Sequence, residues 1–303
     1  MTDKTDLQQK LSAFLPHLEL RFWEPMAKHT SFRIGGPAEI MAFPKNADQL
    51  QALLRAAKGL GIKPSILGAG TNVLAPDSGI SGLCVCLKDV LDGMELLEGN
   101  RLRVMAGVTM TRAAVFAANH GLSGMEFAHG IPGTVGGGVY MNAGAYGGEI
   151  RDICTSVEVM DFDGNIRNLT NEEMHFSYRH SLLEEQGGIV IAAVFSLQEK
   201  QPEEIKARMK ELQGKRSASQ PLDLPSAGSA FKRPVGGYAA ALIDGAGLKG
   251  FAVGGAAIST KHAGFAVNIG GATAEDVKSL LRQVSDRVFE HSGIRLEPEV
   301  RIW

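Results

Sequence analysis

The stretch EFAHGIPGTVGGGVYMNAGAYGG, residues 126–148, holds eight glycines among 23 residues and very little charge. Glycine in the interior of a helix or strand costs roughly 0.5–1 kcal/mol relative to alanine. A long regular element is therefore disfavoured here, yet the segment is too apolar and too patterned for a solvated linker. A shorter run, GAGTN at 68–72, directly follows the strand-like KPSIL. The chain has 37 glycines in 303 residues, well above average usage of about 7%. The excess clusters around 68–82, 121–148 and 245–271, so it marks places rather than a general looseness. Successive backbone N–H groups in tight turns form concavities suited to phosphate oxygens, and glycine permits the close approach. Neither run is a P-loop, since no Lys-Ser/Thr follows at the required spacing. GAGTNV also fails the dinucleotide fingerprint, because Val73 stands at the third glycine position and a loop follows. The residues alone leave two readings open: structural turns, or a phosphate or dinucleotide site.

The segments around these runs alternate between the two periodicities. Leu7, Leu11 and Phe14 recur at helical spacing, and residues 22–43 read as extended, interrupted by IGGP. NADQLQALLRAAKGLG reads as a helix with Asn46 as N-cap, an apolar stripe of Leu50, Leu53, Leu54 and Ala57, and Gly61 beyond its end. LCVCL, RLRVMAG and GIVIAAVFSL read as strands, and TRAAVFAANHG as a helix ending at Gly121. SVEVMDFDGNIRNL is a hairpin turned at Asp163-Gly164. PEEIKARMKEL reads as a helix burying Ile205, Met209 and Leu212, and the following GKRSASQPLDLPSAGS as a domain boundary. TAEDVKSLLRQVSDRVFEHSG carries a capping-box-like start at Thr273 and Asp276 and a stripe of Val277, Leu280, Leu281, Val284 and Val288. Without a regular βαβ rhythm, the fold class is α+β rather than one doubly wound sheet.

Length allows two or three domains, and 44% apolar with 21% charged residues is ordinary for a globular chain. A net charge of −2 offers no electrostatic case for nucleic acid or an anionic membrane surface. Three cysteines, Cys84, Cys86 and Cys154, fit a reducing cytoplasm. The first two share a strand face; a metal pair is conceivable there, but small buried hydrophobes are the favoured reading. No metal site is expected. MTDKTDLQQKLSAFLPHLEL lacks a secretory-signal pattern, and no apolar run reaches spanning length. A cytoplasmic protein without membrane or nucleic-acid partners is the expectation.

Eight ordered motifs carry a family resemblance. They are TSFRIGGPA (30–38), LGAGTNVLAPDSGISG (67–82), EFAHGIPGTVGGGVYMNAGAYGGE (126–149), FSYRHS (176–181), PSAGSAFKRP (225–234), AGLKG (246–250), STKHAGFAVN (259–268) and LEPEVRIW (296–303). Together they closely resemble the UDP-N-acetylenolpyruvoylglucosamine reductases (the MurB family), in the shorter, type II-like subtype. The resemblance covers nearly the whole chain from Thr30. It implies a two-part FAD-binding module of the vanillyl-alcohol-oxidase type and an α+β substrate-binding domain. Expected boundaries are 1–85 and 86–198 for the FAD-binding parts and 199–303 for the substrate domain, the last strand returning to the active site.

The implied activity is that of UDP-N-acetylmuramate dehydrogenase. UDP-N-acetylglucosamine enolpyruvate is reduced with NADPH as hydride donor, in peptidoglycan synthesis and hence cell-wall biogenesis, cell shape and division. FAD is expected without a covalent link, since the first loop offers Thr71 and Asn72 rather than histidine. The resemblance places Gly68, Ala69, Gly70, Thr71, Asn72, Gly130, Ile131, Pro132, Gly133 and Thr134 at the cofactor, with Gly136 and Gly137 continuing the wall and Asn142 and Tyr146 framing the cleft beside it. A monomer is expected.

Reduction of an enol ether needs a hydride, a proton donor and a group that stabilises the intervening enolate. The resemblance assigns proton donation to Ser229, and enolate stabilisation to Arg179 and Glu299. By residue type alone, Ser229 reads as a turn residue, Arg179 as an exposed strand-end charge and Glu299 as an outward carboxylate. Glu297 would share a strand face with Glu299, and the motif selects the latter. Tyr178, Lys232, Arg233, Lys249 and Asn268 are candidate substrate contacts. Arg233 stands where relatives often carry asparagine, and structural bonding is an equal alternative for His262 and Asn268. Two other functions stay open on the residues alone, a flavin oxidase or dehydrogenase on the same scaffold and a non-catalytic nucleotide sensor.

Overall fold

The structure, a computed structural model, describes residues 4–303, which form two compact units. The first comprises residues up to Trp23, Glu39–Ala69 and Gly82–Gly214; the second comprises Glu24–Ala38, Gly70–Ser81 and Lys215–Trp303. Both mix helices and strands, as the α+β reading requires.

One sheet, whose strands lie mostly in the first unit, has the order Glu19–Pro25, Pro37–Phe43, Ile80–Cys86, Ser65–Leu67. The last two run parallel, with Ser65 opposite Cys84. The helix Ala47–Gly59 buries Leu50, Leu53, Leu54 and Ala57. Asn46 Oδ1 accepts the Gln49 N–H at 2.8 Å, satisfying one donor of the first turn. The terminal helix Lys4–Phe14 buries Leu11, but Phe14 at its end is 64% exposed and takes no part in the core. Burial pushes the Cys84 and Cys154 thiols up to about 12, and raises Cys86 as well. All three are buried and behave as small hydrophobes rather than thiolates.

The second sheet of this unit is antiparallel throughout, in the order Ile166–Thr170, Cys154–Met160, Ile189–Ser196, Arg101–Met105, Met94–Leu97. Its hairpin closes over 161–165, where Gly164 takes φ +84° and Asp161 Oδ1 accepts the N–H groups of Asp163 and Asn165, each at 2.8 Å. Val104, Val157, Ile191 and Phe195 of these strands pack with Ala113, Ala117, Val135 and Val139 of two helices.

The helix Pro202–Ser219 runs on into GKRSAS, the start of the expected boundary segment, and the division between units falls there, at Gly214/Lys215. Lys, Arg, Ser and Ala sustain a helix, and Pro221 ends it.

In the second unit, the sheet order is Ser226–Ser229, Phe265–Asn268, Ala256–Ile258, Ala252–Val253. The helix Ala274–Ser292 packs Val277, Leu280, Leu281, Val284 and Val288 into a core with Phe32, Ile34, Leu74, Phe231, Ile258 and Leu296. Its capping box is the expected one: Thr273 Oγ1 accepts the Asp276 N–H, and Asp276 accepts the Thr273 N–H. Asp77 adds a second cap from a distant loop, accepting the N–H groups of Ala274 at 2.8 Å and Glu275 at 3.2 Å. A carboxylate on these orphan donors also sits favourably at the positive end of the helix dipole. Asp77→Ala is therefore expected to lower stability by about 1–2 kcal/mol. A urea midpoint indistinguishable from the parent protein would show the cap to be inert.

Candidate active site

The first glycine run begins where the strand Ser65–Leu67 ends, and the chain passes from the first unit to the second between Ala69 and Gly70. Gly70 has φ +62°, and an added Cβ would lie 2.0 Å from the His29 carbonyl oxygen. Its own carbonyl accepts the Ser31 N–H at 3.0 Å. The glycine answers to backbone packed on backbone.

In the first unit, the second glycine run is partly helical. Residues Val135–Tyr140 form a short helix capped by Thr134, whose Oγ1 accepts the Gly137 N–H at 3.3 Å. The three glycines Gly136–Gly138 hid it, because their helix propensity is poor. Tertiary packing supplies the reason for two of them. A Cβ at Gly136 would lie 2.9 Å from Ala106 Cβ, and one at Gly138 would lie 2.7 Å from the Met110 sulfur. Gly137 is exposed instead. Gly130 and Gly133 adopt φ +84° and +132°. Ile131 is partly buried and Pro132 exposed.

The two runs meet within this unit: a Cβ at Gly68 would lie 2.7 Å from Thr134 Oγ1. Neither GAGTN nor GIPGTVGGG contains a carboxylate. A wall of close-set backbone without negative side chains fits an anionic diphosphate.

Arg179 and Tyr178 also belong to the first unit, on a tight turn closed by Ser177 N–H to His180 O at 3.1 Å and His180 N–H to Ser177 O at 3.2 Å. Arg179 sits at φ +55°, a left-handed conformation uncommon for a branched or long side chain. Its Nη2 donates to Gly144 O at 3.3 Å, and its guanidinium lies 4.9 Å from the exposed Tyr178 ring. Nothing in the local sequence announced that strained turn.

Ser229, Glu299, Thr71 and Asn72 lie in the second unit. Ser229 is exposed at the end of its strand, paired with Phe265. The next residue bridges two neighbours: Ala230 N–H donates to Gly264 O at 2.8 Å, and Ala230 O accepts the Glu299 N–H at 3.0 Å. The serine and carboxylate motifs are thus hydrogen-bonded neighbours. Asn72 secures the other side, its Nδ2 donating to Glu299 O at 3.2 Å and its carbonyl accepting the Arg301 N–H at 2.9 Å. The strand Arg301–Ile302 then pairs in parallel with Val73–Leu74.

The remaining candidates are largely engaged by protein groups. Lys232 pairs with Glu297, which lies in the extended segment before the strand Arg301–Ile302. Arg233 stacks 4.0 Å above the Tyr238 ring. Lys249 is exposed and bonded to Asp244 at 2.7 Å. Asn268 is buried, its Nδ2 donating to Phe32 O and its Oδ1 accepting from Gly270 and Ala272. His262 Nδ1 accepts the Gly264 N–H at 3.1 Å. Burial, with the Lys249 charge adding to it, pushes its pKa below the ordinary histidine value.

With that geometry in view, comparison with known proteins is decisive. The pattern of an FAD binding domain matches residues 38–170, and that of the UDP-N-acetylenolpyruvoylglucosamine reductase C-terminal domain matches residues 220–303. A UDP-N-acetylenolpyruvoylglucosamine reductase of Caldanaerobacter subterraneus is 47% identical over 98% of this chain and 97% of its own. The chain belongs to the UDP-N-acetylenolpyruvoylglucosamine reductase family. A relative of the same description from Latilactobacillus sakei is 45% identical over 92% of this chain and 91% of its own. The crystal structure of the reductase from Thermus caldophilus matches with a TM-score of 0.78 at 36% identity, covering 95% of this chain and 99% of that one. The reductase family thus spans both units, and FAD is its cofactor here. Among the described residues, no helix is long and apolar enough to cross a membrane.

Proposed function

We propose that this chain catalyses the NADPH-dependent reduction of UDP-N-acetylglucosamine enolpyruvate to UDP-N-acetylmuramate in the cytoplasm, as a monomer, with FAD held without a covalent bond. The observation that carries the reading is the hydrogen bond joining the Ser229 and Glu299 motifs through Ala230. It sets a hydroxyl and a carboxylate on adjacent extended segments, in the part of the chain that matches the reductase C-terminal domain. When bound, FAD supplies the hydride it has taken from NADPH.

The chain's own residues supply the rest. The loops at Gly68–Asn72 and Gly130–Thr134 hold the cofactor diphosphate, with Gly136 and Gly137 continuing the wall. The substrate double bond is conjugated to a carboxylate, so hydride addition at its terminal carbon leaves an enolate. Arg179 stabilises that charge, since a guanidinium stays cationic at any working pH and can fork onto two oxygens. Glu299 shares in stabilising the enolate and assists its protonation, and Ser229 gives its hydroxyl proton to the adjacent carbon. Tyr178, Lys232, Arg233, Lys249 and Asn268 are proposed around the substrate. Lys249 would then exchange Asp244 for a phosphate oxygen, and Lys232 would lower the cost of the alkoxide left at Ser229. Asn268 would act through the loop that it bonds.

The division into 1–85, 86–198 and 199–303 is also proposed as the working one. Each of the three larger sheets draws its strands from one of these segments, apart from one residue, Cys86, at the end of its strand.

The purified protein is expected to show an oxidised flavin spectrum, bleach anaerobically with NADPH, and recover on addition of the enolpyruvyl sugar nucleotide. A flavin that stays bleached with the sugar nucleotide would sink the proposal. Bleaching by an alcohol or free sugar would favour an oxidase or dehydrogenase instead.

A further inference from the structure

Arg179 holds a strained conformation on an exposed turn, so something must hold that turn. Three alternate residues of one segment do so. Tyr140 O accepts the Ser181 Oγ–H at 2.7 Å, Asn142 Nδ2 donates to Ser177 O at 2.9 Å, and Gly144 O accepts from Arg179 Nη2 at 3.3 Å. Asn142 is the central member. It is completely buried and itself left-handed, at φ +42°. Its second Nδ2 hydrogen goes to Glu149 Oε2 at 2.9 Å, and its Oδ1 accepts the Arg151 N–H at 2.9 Å. Those two bonds fix which face of the amide carries nitrogen, so the donor is forced toward Ser177. Ser181 is completely buried as well. A turn pinned at both ends, with its arginine tied in the middle, has little freedom to wander.

We propose that the 140–144 segment, through Asn142, is a clamp that positions Arg179 for the reaction. This rests on the reading of Arg179 as the enolate-stabilising residue. Asn142 touches no reacting atom on this account and acts only by placing the guanidinium, where an error near 1 Å can cost about 100-fold in rate.

The test is a double-mutant cycle on the flavin-loaded enzyme, using Asn142→Gly, which tolerates the left-handed backbone, and the milder Ser181→Ala. Each is expected to slow reoxidation by the sugar nucleotide about 10- to 100-fold, and Ser181→Ala to leave NADPH bleaching unchanged. In an Arg179→Ala background neither should slow it further. A second readout is independent of turnover: trypsin should cut after Arg179 much faster in both variants, with its other sites unaffected. If the losses add to that of Arg179→Ala, or if cutting rises everywhere or nowhere, the clamp is refuted. Should Asn142→Gly not fold, the Ser181→Ala cycle decides. Full activity of Arg179→Ala alone would instead overturn the reading of Arg179 itself.

Discussion

Ser229→Ala is expected to abolish most of the sugar half-reaction while leaving the NADPH half-reaction intact. The substitution removes one exposed oxygen at a position whose backbone is held independently. Ser229 pairs with Phe265, and Ala230 is bonded to both Gly264 and Glu299. The fold therefore survives, and the loss isolates the proton. A positioned general acid contributes about 10²–10⁴-fold, so reoxidation by the enolpyruvyl sugar nucleotide should slow by that factor. Stopped-flow absorbance at the flavin band separates the two half-reactions. Equal loss in both, in a folded and flavin-loaded variant, would show that Ser229 is not the acid.

Gly70→Ala is expected to be the most damaging single methyl in the glycine loops. At φ +62° an L side chain costs about 1–2 kcal/mol. The new Cβ would also lie 2.0 Å from the His29 carbonyl oxygen and 3.0 Å from Thr30 Cα, both backbone atoms that no rotamer change can move. Relief requires parting the two chain segments and breaking the Ser31 N–H to Gly70 O bond. Overpacking of this kind adds about 1–3 kcal/mol, for a total of about 2–5 kcal/mol. The control is Gly247→Ala, at φ +70° with nothing within 4 Å of its Cβ, which should cost only the conformational part. Urea unfolding of the two variants compares them directly. Equal losses would show that the close approach at Gly70 relaxes without penalty.

These two glycines show the limit of reading loops from composition. Both are plain Gly in a turn-rich context, and only the partner across the turn tells them apart. The same holds for Gly136 and Gly137, adjacent in sequence: one meets Ala106 and the other faces out. An abundance of glycine near a cofactor site therefore mixes clearance for the ligand with clearance for the protein's own helix.

The local elements were legible because local chemistry decides them. The helix Ala274–Ser292 has its cap, its apolar stripe and its Gly293 stop within one short window. The helix after Asn46 and the hairpin at Asp163-Gly164 follow the same logic. The ordered motifs likewise sufficed to name the family, the FAD cofactor and the candidate residues.

What required the tertiary structure was every arrangement made by residues far apart in the chain. Ser177 and Asn142 are 35 residues apart, Tyr140 and Ser181 are 41 apart, and Asn72 and Glu299 are 227 apart. Hydrogen bonds across such separations leave no periodicity in the sequence, because each donor and acceptor looks ordinary beside its own neighbours. Sequence thus determined which side chains are available for the chemistry. The fold decided which of them are already committed to the protein, as Asn268 is to Phe32 and its own loop, and which are held in a conformation that their local sequence would not choose, as Arg179 is.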